Sequence, residues 1–152
     1  MDPGPIVTES LAEQLAPFEA VGAGRRGYDA YWSALGALMK NRPPAARAEF
    51  EVLRQLMDAE VERRGLKPLP AVPVAMIVAA KALPLEALQL PFDARAQFEA
   101  DVRHRIRQLQ EWALASPHGT LVVSNATTHL VPREDPDLIV WATRRVLDQI
   151  TR

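Results

Sequence analysis

The sequence predicts an α/β chain organised as a single domain over 1–152. A helical part spans about residues 2–65, and a short parallel strand pair follows at about 73–80 and 120–125, flanked by helices. Three observations carry this. The first 65 residues repeat apolar side chains at steps of three and four between proline and glycine breakers, which is a helical period. Val74 to Ala80 and Thr120 to Ser124 are instead short apolar runs with β-branched residues, the pattern of strands buried on both faces. A helical pattern lies between those two runs, and strand, helix, strand joined in that order give a parallel pair with a right-handed crossover.

Each element has a local cause. Ser10-Leu11-Ala12-Glu13 has the form of a capping box, and Leu11, Leu15 and Phe18 then share one face of a helix ending near Pro17 to Val21. Tyr28 to Lys40 carries Tyr31, Trp32, Leu35, Leu38 and Met39 at helical spacing until Asn41-Arg42-Pro43-Pro44 stops it. Ala45 to Gly65 is the longest amphipathic stretch, with Phe50, Leu53, Leu56, Met57 and Val61 on the expected inner side. After the proline-rich approach 66–73 comes the first strand, followed by an irregular segment from Lys81 to Pro91. Asp93 then caps a helix bearing Phe98, Val102, Ile106, Leu109 and Ala113, which Ser116-Pro117-His118-Gly119 ends. After the second strand, Asp135-Pro136 opens a last helix whose apolar face holds Leu138, Trp141, Ala142, Val146 and Ile150. The regions 1–66 and 67–152 thus read as a helical part and a strand-helix-strand-helix part. One parallel pair makes a poor sheet by itself, so the flank along Val74 to Ala80 and the last helix are expected to be exposed and prone to self-association.

Composition excludes several classes. The chain has 152 residues, 48% of them hydrophobic, and a formal net charge of −1, so nothing in the bulk balance recruits nucleic acid or an anionic membrane. It has no cysteine, hence no thiolate metal site. The longest apolar run falls far short of the roughly 20 residues of a membrane helix, and the amino terminus shows no signal-peptide pattern. The expectation is a soluble cytoplasmic protein without cofactor, metal, nucleic-acid or membrane partner. His104, His118 and His129 are not at paired-ligand spacing. Arg95, Arg103, Arg105 and Arg107 share their helix with Asp93, Glu99 and Asp101, which makes a mixed solvated face. Gly22-Ala23-Gly24-Arg25-Arg26-Gly27 matches G-x-G-x-x-G in letters, but helical residues precede it where the dinucleotide fingerprint needs a strand, so it reads as a loop.

The segment that points to chemistry is Thr127-Thr128-His129-Leu130-Val131-Pro132-Arg133-Glu134-Asp135-Pro136-Asp137. It places an imidazole at the carboxyl end of a strand, where open α/β sheets bind their ligands. The order Leu121-Val122-Val123-Ser124, His129, Glu134-Asp135-Pro136-Asp137, together with Val72-Pro73-Val74 opening the preceding strand, resembles the carboxyl-terminal part of the α/β-hydrolase superfamily. Met1-Asp2-Pro3-Gly4-Pro5 is similar to the segment leaving the strand before the cap, which makes Ser10 to Gly65 cap helices. The resemblance implies a partial α/β-hydrolase fold, His129 as the triad base, and Asp2 or Glu86 as the acid, with Asp2 preferred. The family's G-x-S-x-G nucleophile is missing: Ser10, Ser33, Ser116 and Ser124 are the only serines and none has those flanking glycines. The resemblance therefore implies that a segment preceding Met1 supplies the nucleophile and that the small ester- or amide-type substrate is hydrolysed only in the completed protein. Two other readings stand beside it. One is a degenerate, non-catalytic relative serving as a binding or homo-oligomerisation module; the other is an unrelated helical interaction domain.

Overall fold

In a computed structural model, residues 10–58, 72–82 and 84–150 are described. They form two compact units: a helical unit of residues 10–58 and 84–100, and a strand-bearing unit of 72–82 and 101–150.

In the helical unit, α1 (Leu11–Glu19) begins as the capping box requires. The Ser10 backbone N–H donates to Glu13 Oε2 at 2.6 Å, and the Glu13 N–H donates to Ser10 Oγ at 3.3 Å. The helix ends in a Schellman turn: Ala23 N–H donates to Phe18 O at 2.9 Å and Gly22 N–H to Glu19 O at 3.0 Å, with Gly22 at φ 71°. The left-handed turn accounts for a glycine there. α2 (Gly24–Met39) starts at once, with Gly24 itself at φ 50°, so the expected loop shrinks to the turn that leads into the helix. Gly27 is buried, and a Cβ on it would lie 2.4 Å from Ala23 Cβ and 3.4 Å from ring carbons of Phe18 and Phe92. The first and last glycines of the motif thus cap a helix and admit two aromatic rings, which explains the pattern without a phosphate.

Phe18 is the centre of this unit's core. It is buried, and its ring meets Tyr28, Tyr31 and Phe92 at centroid distances of 5.6, 5.9 and 5.8 Å. The buried Tyr28 hydroxyl donates to the equally buried Gln14 at 2.8 Å. α3 (Pro44–Asp58) packs on α2 mainly through Phe50, whose ring lies 5.8 Å from that of Trp32. Leu53, expected on the inner side, is 47% exposed. The apolar spacing predicts the helix, but α3 meets α2 at Phe50 and leaves Leu53 in solvent. The side chains of Leu56 and Met57 and the whole of Val61 lie outside the described residues.

In the strand-bearing unit, β1 (Ala75–Ala79) and β2 (Thr120–Ser124) pair in parallel, Ala75 opposite Thr120 and Ala79 opposite Ser124. Thr120 N–H to Val74 O at 2.9 Å and Ala80 N–H to Ser124 O at 2.8 Å extend the ladder at both ends. α4 (Ala94–Ala115) is the crossover, capped by Asp93, whose carboxylate accepts from Ala96 N–H at 2.9 Å. In the helical unit, a short 3-10 turn, Leu85–Leu88, interrupts the expected irregular segment. On α4, Arg95 pairs with Glu99 and Arg105 with Asp101, each across one helical turn. Residues 74–80 are half-buried or, at Val78, buried, against the expected exposure of that flank, whereas Val123 of β2, expected to be covered on both faces, is 41% exposed. A two-stranded sheet presents two open edges, and only more strands or helices would close both faces.

The last helix, α6 (Pro136–Ile150), is capped by Asp135, whose carboxylate accepts from Leu138 N–H at 3.0 Å. It packs against β1 and buries Ala142, with Leu138, Ile139 and Val146 half-buried. Trp141 and Ile150 are instead exposed, contrary to the expected apolar face. Val140 and Leu147 are exposed as well, so α6 is apolar on two sides, and periodicity could not tell which side the chain would bury.

Candidate functional site

The carboxyl ends of β1 and β2 hold the segment that the sequence singles out. Ser124 closes the strand ladder, and Lys81 N–H, just past β1, donates to Thr127 O at 3.1 Å. That bond ties the loop after β2 to the end of its neighbour. Thr127 is fully buried, and its hydroxyl has no hydrogen-bond partner among the described residues. Thr128, also buried, donates through its backbone N–H to Glu134 Oε2 at 2.7 Å and through its hydroxyl to Glu134 Oε1 at 2.9 Å. The same hydroxyl accepts from Leu130 N–H at 3.3 Å.

Glu134 can reach back because the chain makes a short helix there, α5 (Val131–Glu134), which the sequence did not foretell. Val131 is buried and anchors it, and Asp135, at φ −148°, breaks it before α6 begins. A carboxylate bonded by two donors of one residue closes the loop into a ring of seven residues, Thr128 to Glu134, with His129 inside it. The Thr128 backbone N–H, then its hydroxyl, hold the Glu134 carboxyl below its ordinary value, and the positive charges of Lys81 and His129 add to this; partial desolvation opposes it.

The folded pKa of Glu134 lies below the unfolded one, so its contribution to stability is complete above the ordinary glutamate value near 4.5 and is lost as pH falls through the lower folded value. Glu134→Gln keeps the shape but turns an NH2 donor toward one of the Thr128 donors. The variant is expected to melt below the parent near neutral pH, with the gap closing in acid. A gap of constant size from neutral pH to acid would show that the carboxylate is not what ties the loop.

His129 sits on this pinned loop with its imidazole exposed, and among the described residues nothing hydrogen-bonds or ion-pairs with the ring. The residues paired with it by the sequence reading are not seen beside it. Asp2 lies outside the described residues, and Glu86 falls in the Leu85–Leu88 turn of the other unit, with its side chain outside them. Glu134, expected only as part of an acidic helix start, is the carboxylate on this loop. Both Glu134 oxygens bond Thr128, so it shapes the loop rather than orienting the imidazole. Among the described residues of this loop and strand end no hydroxyl is placed as a nucleophile: Thr127 is buried, Thr128 is committed to Glu134, and Ser124 is buried at the end of β2.

Among the described residues no group of three or more histidines, cysteines or carboxylates could hold a metal ion, and no helix is long and apolar enough to cross a membrane. Comparison of the chain with family models, with curated proteins and with solved structures finds no match.

Proposed function

We propose that this chain is the histidine-bearing, carboxyl-terminal portion of an α/β-hydrolase-like protein, whose nucleophile is supplied by a segment outside these 152 residues. The observation that supports this reading best is the exposed His129 imidazole on a loop fixed at the carboxyl end of a parallel strand pair. Strand ends of this kind are where α/β sheets carry chemistry, and a general base needs an accessible ring on a backbone that does not wander. In the completed site, His129 takes the proton of the attacking hydroxyl and returns it to the leaving group of an ester- or amide-type substrate. The substrate is a small carbonyl compound, and no cofactor takes part.

The chain by itself then has no covalent intermediate to form. Its turnover of a p-nitrophenyl ester is expected to match that of the His129→Ala variant, both at the uncatalysed background. The genomic sequence in frame before Met1 is expected to encode a strand followed by G-x-S-x-G. Clear His129-dependent turnover by the chain alone, or an upstream region without that motif, would contradict the reading.

A further inference from the structure

We propose that the outward face of α6 binds a second copy of this chain, in an antiparallel helix pair whose two-fold axis passes between Val140 and Trp141. Asp137, Val140, Trp141 and Arg144 occupy positions i, i+3, i+4 and i+7, so they form one stripe along the helix. All four are exposed, Val140 at 45% and Trp141 at 47%, on the side opposite buried Ala142. The stripe is therefore an apolar centre with an acid at its amino end and an arginine at its carboxyl end.

That order is complementary to itself only when reversed. With the axis between Val140 and Trp141, each Asp137 faces the Arg144 of the other copy and each Val140 faces a Trp141, every contact occurring twice, as an isologous interface requires. A parallel pair would set like charges opposite one another, which disfavours it. Within one helix the two charges are separated by about 10 Å of axial rise, too far to satisfy each other, and neither makes an ion pair among the described residues. Two turns of contact suit helices that cross ridge into groove, and a Trp at the centre of such a patch is the kind of side chain that anchors an interface. A helix with apolar residues on two opposite sides is otherwise found buried. This inference stands apart from the hydrolase reading, because it uses no residue of the His129 loop.

The test is sedimentation of the full chain across a dilution series. The parent is expected to be a dimer that dissociates on dilution. Asp137→Arg and Arg144→Glu are each expected to weaken it by about tenfold or more, since either change sets two like-charged pairs across the axis. An equimolar mixture of the two variants is expected to dimerise again, because in the mixed pair both charged contacts across the axis once more join an acid to an arginine. Circular dichroism of each variant alone reports that the helices remain. A parent that stays monomeric, or a dimer insensitive to either reversal, would overturn the proposal. So would a mixture of folded variants that stays monomeric.

Discussion

Replacing Gly119 with alanine is expected to destabilise the strand-bearing unit by about 3 kcal/mol, near the top of the range for overpacked sites. A Cβ at Gly119 would fall 1.8 Å from the carbonyl oxygen of Ala113 and 2.7 Å from its Cα. These are backbone atoms of the last turn of α4, so no rotamer change relieves the clash and the chain itself must move. The segment has little room to do so. Ser116 N–H bonds Trp112 O at 3.2 Å, Ser116 Oγ donates to Val72 O at 2.8 Å, and Thr120 N–H bonds Val74 O at 2.9 Å. The close approach lets α4 turn straight into β2, and a shift there would slide β2 along β1 or cost the bonds that open the ladder. Thermal denaturation is expected to show a loss of about 10 °C, with faster hydrogen exchange in β1 and β2. A variant that melts like the parent would show that the turn does not need this approach.

Phe18→Ala is expected to cost the helical unit about 3–5 kcal/mol. The side chain is buried against three aromatic rings in edge-on or tilted contact, and those contacts add to the area it covers. The neighbours cannot collapse into the space readily, because Tyr28 is held by its bond to Gln14 and Phe92 sits at the start of the α4 segment. Hydrogen exchange should accelerate in α1 and α2. Phe18→Leu restores most of the volume but none of the ring contacts, and should fall between the two. Equal stability of all three proteins would remove Phe18 from the centre of the core.

Much of the architecture was legible because local rules and periodicity agreed. Ser10 with Glu13, Asp93, and Asp135 before Pro136 each mark a helix start, and each side chain makes the bond its position demands. Two β-branched runs separated by a helix pair in parallel, as the crossover rule requires. What was not legible depends on direction. Apolar spacing on α6 reveals a helix but not which of its two apolar sides turns inward, so Trp141 and Ile150 were assigned to the wrong one. The same holds for Leu53 on α3. Glycines as breakers predict one loop from Gly22 to Gly27, whereas Gly22 makes the left-handed turn of the Schellman motif, Gly24 takes φ 50° where α2 begins, and Gly27 serves packing. At the candidate site, the position of His129 after β2 followed from the strand and cap signals. The clasp of Glu134 on Thr128 did not, because it depends on a single turn of helix, α5, too short to leave a period in the sequence.

The central claim, that His129 is the base of a hydrolase site completed by a nucleophile outside these residues, is tested most directly with a fluorophosphonate probe. The protein to use is the complete gene product that contains this chain, with its adduct mapped by mass spectrometry. His129 is exposed, so His129→Ala should leave the melting temperature nearly unchanged and serve as a clean control. The expected result is one labelled serine outside residues 1–152, with labelling abolished in His129→Ala. Absence of any adduct, an adduct on Ser10, Ser33, Ser116 or Ser124, or labelling that persists without the imidazole would contradict it.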